Sequence, residues 1–311
     1  MMLSCGDALF DVFANPSSSN VSISLDARVG GSPLNVAVAL SRLGQSTGFL
    51  AKVSTDLFGR GLLAYLEAEG IDTDLIVTTN APTTLAIVAL DDKGVPTYSF
   101  YTGGTADRSL ELPELPARLP DAVRVIHIGS YTTALEPTAS SLEALVKRER
   151  VRRFVSYDPN IRPSIFPDRE TWRRRVAALT AQAHLVKASV EDIQFLYPGA
   201  DVDGILADWL AKGAGLAVAT MGEVGALAVT RHGIAARVSA PVVQVIDTVG
   251  AGDTFQAALL TWLAEHGRLS PDGLSSLTAD ELDGLLTFSA RAAAITCSRR
   301  GADMPRRSEV G

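Results

Sequence analysis

Cysteine is nearly absent: Cys5 and Cys297 are the only two in 311 residues. A single pair in so long a chain builds no disulfide framework, and it suits a reducing cytosol. No Cys/His group has zinc spacing. The four histidines, His127, His184, His232 and His266, are scattered and read as structural. No segment carries about 18 uninterrupted apolar residues. Met1 to Asp11 holds neither a basic region nor a long apolar run. Positive charge is in deficit, with a net charge of −7. That repels phosphate backbones at long range and makes nucleic acid a poor partner. The basic runs Lys147 to Arg153 and Arg173 to Arg175 read as solvated helix faces. No lysine follows a glycine pair at the spacing G-x-x-x-x-G-K-[ST], so a Walker-type NTPase is excluded. These absences predict a soluble, cytoplasmic protein with no membrane and no nucleic-acid partner.

What is present is a chain with 47% hydrophobic and 20% charged residues, enough to bury a large core. The opening run Leu3 to Phe13 reads as one strand. The polar stretch Asn15 to Asn20 follows, and Val21 to Leu25 then alternates as a half-exposed strand. Thr84 to Leu90 and Thr97 to Tyr101 form a second such pair, with Asp91-Asp92-Lys93-Gly94 as the hairpin turn between them. These strands suit a small sheet apart from the main body. Elsewhere apolar strands alternate with amphipathic helices, which predicts an α/β fold with a mostly parallel sheet. Gly267 to Asp280, rich in Ser, Pro, Gly and Asp, reads as a loop.

Two segments carry chemistry. The first is Asp247-Thr248-Val249-Gly250-Ala251-Gly252-Asp253, which opens a helical pattern. Two glycines let the backbone turn sharply and present consecutive amides where the helix dipole favours anions. Asp253 lies in the first turn, and as a bare pattern it is also compatible with a helix cap. Gly250-Ala251-Gly252 begins a dinucleotide fingerprint, and Val242 to Ile246 could be its strand, but Phe255 stands where a third glycine belongs. The second segment runs from Gly30-Gly31 to Gly44. Ser32 can cap a helix, Pro33 suits its first turn and Gly44 ends it. Asn35 is left over: an amide beside paired glycines offers donor and acceptor to a ligand hydroxyl.

In this order and spacing the two segments resemble the paired signatures of the ribokinase-like, PfkB-type carbohydrate kinases, and the resemblance runs from Cys5 to about Met304. It is nearest to bacterial fructokinases at Gly6-Asp7-Ala8-Leu9-Phe10-Asp11, Ala106-Asp107, Tyr157-Asp158-Pro159-Asn160-Ile161-Arg162 and Thr296-Cys297-Ser298-Arg299-Arg300-Gly301. The resemblance implies one ribokinase-like domain over residues 1–311, a three-layer α/β/α sandwich with a small β-sheet lid at about residues 12–28 and 84–101. It implies ATP-dependent phosphorylation of a sugar hydroxyl, most simply fructose to fructose 6-phosphate. Ketodeoxygluconate, ribose and nucleoside kinases are alternatives, and a silent sugar- or nucleotide-binding regulator is a remote one.

By the same resemblance Asp253 is the base, and the amides of Gly250, Ala251 and Gly252 form the anion hole. A carboxylate is a weak base, but a loose phosphoryl transfer lets the proton leave late. Asp11, Gly31, Asn35 and Arg162 would hold the sugar. Lys187, Ser189, Thr220, Gly222 and Gly225 would hold ATP. Many family members carry N-x-x-E where this chain has Ser189-Val190-Glu191-Asp192, so Glu191 or Asp192 would serve Mg²⁺. Asp247, with Val249 and Gly301, matches positions that bind K⁺ in some relatives. A homodimer paired through the lid is a further implied partner arrangement.

Overall fold

The computed structural model describes residues 1–14, 22–90 and 96–311. The chain opens with β1 (Met2–Cys5), fully buried, and then meets Gly6 at φ +145°. A β-carbon there would stand 2.6 Å from Pro33, so the turn requires glycine. The expected single strand Leu3 to Phe13 is therefore two strands. Beyond Gly6 the chain resumes as β2 (Leu9–Ala14) in a different sheet. β3 (Leu25–Gly30) runs back antiparallel to β2, later in the chain than the expected strand Val21 to Leu25. Val21 and the stretch Asn15 to Asn20 lie outside the described residues. α1 (Ser32–Arg42) follows, with Val36, Ala37 and Leu40 buried as its periodicity requires.

β4 (Thr47–Leu50) and β5 (Lys52–Ser54) lead to α2 (Leu57–Ala68), whose first turn is held by the Asp56 side chain accepting from the Gly59 amide. β6 (Val77–Thr79) pairs with β5. β7 (Thr84–Leu90) and β8 (Pro96–Tyr101) pair antiparallel, as expected for a hairpin. Its turn, Asp91 to Gly94, lies outside the described residues. The rest alternates: β9 (Val125–Gly129), α3 (Thr138–Glu149), β10 (Phe154–Asp158), α4 (Arg169–Thr180), β11 (Leu185–Ser189), α5 (Val190–Leu196), α6 (Val202–Lys212) and β12 (Leu216–Thr220). β13 (Ala226–Thr230), β14 (Ala235–Val238), α7 (Ala251–Glu265), α8 (Pro271–Ser275), α9 (Ala279–Cys297) and α10 (Arg307–Val310) complete it.

Eight strands form the main sheet in the order β14-β13-β12-β11-β10-β9-β1-β4. From β12 to β4 every pairing is parallel, and β13 and β14 add an antiparallel edge. Both faces are covered. Val125 and Val218 point into one core with residues of α1, α7 and α9, while Ile126 and Ala217 point into the other with Trp172 and Trp209. This is the expected three-layer sandwich. The four-stranded sheet β3-β2-β7-β8 stands apart as the lid sheet. Among the described residues, no helix is long and apolar enough to cross a membrane.

Two local expectations change. Gly267 to Asp280 is not only loop: Ser270 caps the short α8, which begins at Pro271, and Thr278 opens α9 with a capping box to Glu281. Val242 to Ile246 forms no strand. The amides of Ile246 and Asp247 instead donate to the Cys297 carbonyl at the end of α9. With no strand before the glycines, the dinucleotide reading fails.

Candidate active site

α7 begins at Ala251 behind Gly250, which sits in the left-handed region at φ +78°. A β-carbon at Gly250 would lie 2.8 Å from the Ala302 side chain. Asp253, in the first turn, does not cap the helix. Its Oδ1 accepts from Ser32 Oγ at 2.6 Å and Asn160 Nδ2 at 3.3 Å, and its Oδ2 accepts from Asn35 Nδ2 at 2.9 Å. Ser32, expected as a helix cap, is thus a partner of Asp253, and the N-cap position belongs to Gly31. Of the three expected anion-hole amides, Ala251 already closes a turn onto the Thr248 carbonyl at 3.2 Å. Among the described residues, no acceptor within the protein meets the Gly250 or Gly252 amide.

Asp253 faces a cavity of about 420 Å³ that gathers all four expected sugar residues, Asp11, Gly31, Asn35 and Arg162. Gly31 has φ +108°, and a β-carbon on it would stand 2.7 Å from the Asp7 carbonyl oxygen. Gly30 leaves room for the Asp11 carboxylate, whose Oδ2 would stand only 2.4 Å from a β-carbon there. The glycine pair is therefore explained by one backbone requirement and one neighbour. The lid contributes Asp11 from β2, Ala86 from β7 and Phe100 from β8. Burial pushes the Asp11 carboxyl up to about 6; the Arg162 guanidinium pulls against this and the Asp253 charge adds to it.

A second cavity, of about 860 Å³, lies on the other side of the glycine loop. Ser189, Thr220, Gly222 and Gly225 line it, as expected, with an apolar wall from Val242, Val243, Val245 and the alanines of α9. The two cavities share Thr248 and Gly252. The strand after Gly225 is antiparallel to β12, so the 220–225 segment is both a hairpin turn and a cavity rim.

Residues 1–308 match the family described as pfkB family carbohydrate kinase. The chain belongs to that family. It is 36% identical over 284 residues to a fructokinase of Rhizobium leguminosarum bv. trifolii, covering 91% of this chain and 85% of that one. The crystal structure of fructokinase with bound ATP from Xylella fastidiosa superposes with a TM-score of 0.89 at 30% identity, covering 99% of this chain and 96% of that one. A fructokinase double mutant from Vibrio cholerae O395, in a fructose, ADP and potassium ion bound form, gives 0.84 at 25% identity, with coverage of 99% and 96%. The fold is accordingly ribokinase-like, and the protein is a carbohydrate kinase.

Within the kinase, three expected positions differ from their sequence reading. Lys187 lines neither cavity. It is buried beneath the loop, ion-paired with Asp158 Oδ2 at 2.7 Å and donating to the Gly252 carbonyl at 3.1 Å. Asp192 is also buried. Its Oδ2 accepts from the Ser189 amide and hydroxyl, and its Oδ1 from the Ile161 amide at 2.8 Å. It is the N3 partner of a capping box and faces no ligand space, whereas Glu191 is exposed and lines the second cavity. Asp247 accepts from the Val249 amide at 3.1 Å and the Gly301 amide at 2.9 Å, so its carboxylate ties the 247–249 turn to the 301 loop. No group of three His, Cys, Asp or Glu side chains suited to a metal occurs among the described residues. The histidines with described partners are structural: His127 meets Ser156, His184 accepts the Val155 amide and His266 meets the Trp262 carbonyl.

Asn160 and Asp158 are the site residues that local pattern reading passed over. Asn160 has φ +37°, outside a helix or strand, and its amide reaches Asp253 from 93 residues away. Asparagine tolerates that conformation better than most residues, so its place within Asp158-Pro159-Asn160 was the available signal.

Proposed function

We propose that the kinase transfers the γ-phosphoryl group of ATP to the 6-hydroxyl of D-fructose, giving fructose 6-phosphate and ADP. The observation that carries this reading is the junction of the two cavities at Thr248 and Gly252, with Asp253 facing the smaller one. A donor in the larger cavity and an acceptor in the smaller one then meet at the glycine loop. Asp253 takes the proton from the attacking hydroxyl. The Gly250 and Gly252 amides, at the positive end of α7, stabilise charge on the transferring group.

Among the described residues, the ionisable groups lining the smaller cavity are three carboxyls, Asp7, Asp11 and Asp253, and one cation, Arg162. That balance favours a neutral polyol over a sugar acid. The named similarity to fructokinases, one of them holding fructose, supports fructose among neutral sugars. The expected result is a kcat/KM for fructose at least about tenfold above ribose and 2-keto-3-deoxygluconate in an ADP-release assay. Parity with either would remove fructose from the reading.

Glu191 fits a magnesium role, since Mg²⁺ is commonly held by one or two carboxylates together with substrate phosphates and water. Bound there, the ion would neutralise phosphate charge. Glu191→Gln is expected to raise the Mg²⁺ concentration for half-maximal rate by about tenfold with little change in KM for the sugar. An unchanged Mg²⁺ requirement would count against Glu191. The 247–249 turn and Gly301 lie together, tied by the Asp247 carboxylate, and would form the candidate K⁺ position.

The same reading treats residues 1–311 as one kinase domain. It places the kinase in the cytoplasm, where the unpaired Cys5 and Cys297 stay reduced. It pairs two copies through the lid, whose strands carry exposed Phe13, Leu25 and Tyr101.

A further inference from the structure

At the inner end of the smaller cavity lies a carboxyl that phosphoryl transfer does not use. Asp7 follows β1, and Ser130 and Tyr131 follow β9. All three line the cavity. β1 has β4 on one side and β9 on the other, so this is the point where strand order reverses and a crevice opens beyond the strand ends. Asp7 is only 1% exposed. Its Oδ1 accepts from Thr132 Oγ1 at 3.1 Å, and its Oδ2 has no hydrogen-bond partner. Buried polar atoms are rarely left unmet, and one on a cavity wall marks a place for a ligand atom.

A second buried carboxyl, Asp107, sits nearby and differs in its surroundings. Thr84 Oγ1 donates to its Oδ1 at 2.7 Å, Thr105 Oγ1 donates to the same atom at 3.0 Å, and the Tyr131 hydroxyl donates to its Oδ2. Burial raises the Asp107 carboxyl too, but donors on both of its oxygens and the Arg108 charge pull it back, so Asp107 is the readier of the pair to ionise. Asp7 has the Ser130 and Thr132 hydroxyls and its own amide to favour the anion, but complete burial and the like charge of Asp107 outweigh them and favour the protonated form. Complete burial and the Asp107 charge push the Asp7 carboxyl up to about 7.

We propose that Asp7 is a further substrate-contacting residue, a neutral acid whose Oδ2 donates a hydrogen bond to an oxygen of the bound sugar. This rests on the smaller cavity being the sugar site. A polyol needs both donors and acceptors around it. Asp11 supplies acceptors, Asn35 and Arg162 supply donors on their side, and Asp7 supplies a donor at the inner end. A carboxylate there could only accept, and would face Asp107 across a buried contact.

Groups facing Asp7 are Asp107 and Tyr131, with Asp11, Asp253 and Arg162 lining the same cavity. Asp11 and Asp7 set opposite limbs of sugar affinity. Asp11 accepts most strongly when ionised, so affinity falls as pH drops through about 6. Asp7 must be protonated to donate, so affinity falls as pH rises through about 7.

The test measures KM for fructose at saturating ATP from about pH 5.5 to about pH 8.5 in wild type, Asp7→Asn, Asp7→Ala and Asn35→Ala. Wild-type KM is expected to rise on the alkaline side. Asp7→Asn, which keeps a donor without a titrating proton, is expected to lose that limb and retain the acidic one. Asp7→Ala is expected to raise KM roughly tenfold near pH 6.5 with kcat nearly unchanged. Identical alkaline limbs in wild type and Asp7→Asn would overturn the proposal, even if Asp7→Ala fails to fold. A wild-type KM in Asp7→Ala would also overturn it. If Asn35→Ala raises KM while the Asp7 variants do not, the Asp7 inference alone fails. If none of the three raises KM, the cavity is not the sugar site and both readings fail.

Discussion

Replacing Asp253 by asparagine lowers turnover at least about 100-fold while sugar binding persists, the usual scale for removing a general base. The substitution keeps the size of the side chain and removes the proton acceptor. Ser32 can rotate its hydroxyl and Asn35 can present its amide oxygen, so the hydrogen-bond set around position 253 survives in changed polarity. The proposed sugar contacts at Asp11 and Arg162 are untouched. Coupled ADP release reads the loss of rate, and sugar-induced thermal stabilisation reads the retained binding. Wild-type turnover in this variant would remove Asp253 from its role.

Lys187→Met has the second large effect, and it acts from below the loop. Lys187 and Asp158 are almost fully buried and pair at 2.7 Å. Removing the lysine leaves a buried carboxylate alone, which costs about 3–5 kcal/mol. Denaturant unfolding measures that cost. Turnover is expected to fall as well, because Lys187 Nζ also holds the Gly252 carbonyl, in the peptide unit that carries the Asp253 amide, and so fixes the backbone between the proposed anion-hole amide of Gly252 and the proposed base. A second replacement, Asp158→Leu on the Lys187→Met background, separates the two roles. Stability recovers once the lone charge is gone, whereas turnover stays low because nothing restores the donor to Gly252. If turnover recovered along with stability, Lys187 would be structural only and its positioning role would fail.

The parts of this site that sequence reading reached are those written into short segments. The Gly30-Gly31 pair and the Gly250-Ala251-Gly252-Asp253 run each mark a tight turn into a helix start, and positive φ at Gly31 and Gly250 accounts for both. What it missed depends on partners far apart in the chain. Ser32 looks like a cap because serine at a helix start usually is one. Its actual partner is 221 residues away. Asp192 and Glu191 are adjacent and chemically alike, and only the fold sends one into a capping box and the other to a cavity wall. Lys187 stands in the middle of β11, and its burial against Asp158 makes it a support beneath the loop rather than a cavity-lining side chain. In the fold, the division of Leu3 to Phe13 was concealed because both halves are apolar. Gly6 was the available sign, and its meaning came from Pro33 packing against it.

The proposed sugar and nucleotide cavities meet at the loop that carries Asp253. The most direct test of transfer across that loop is product identification by phosphorus NMR after wild-type protein is incubated with fructose, ATP and Mg²⁺. One fructose 6-phosphate is expected for each ADP. ADP formed without a sugar phosphate, or phosphate attached at another hydroxyl, would contradict the proposed transfer.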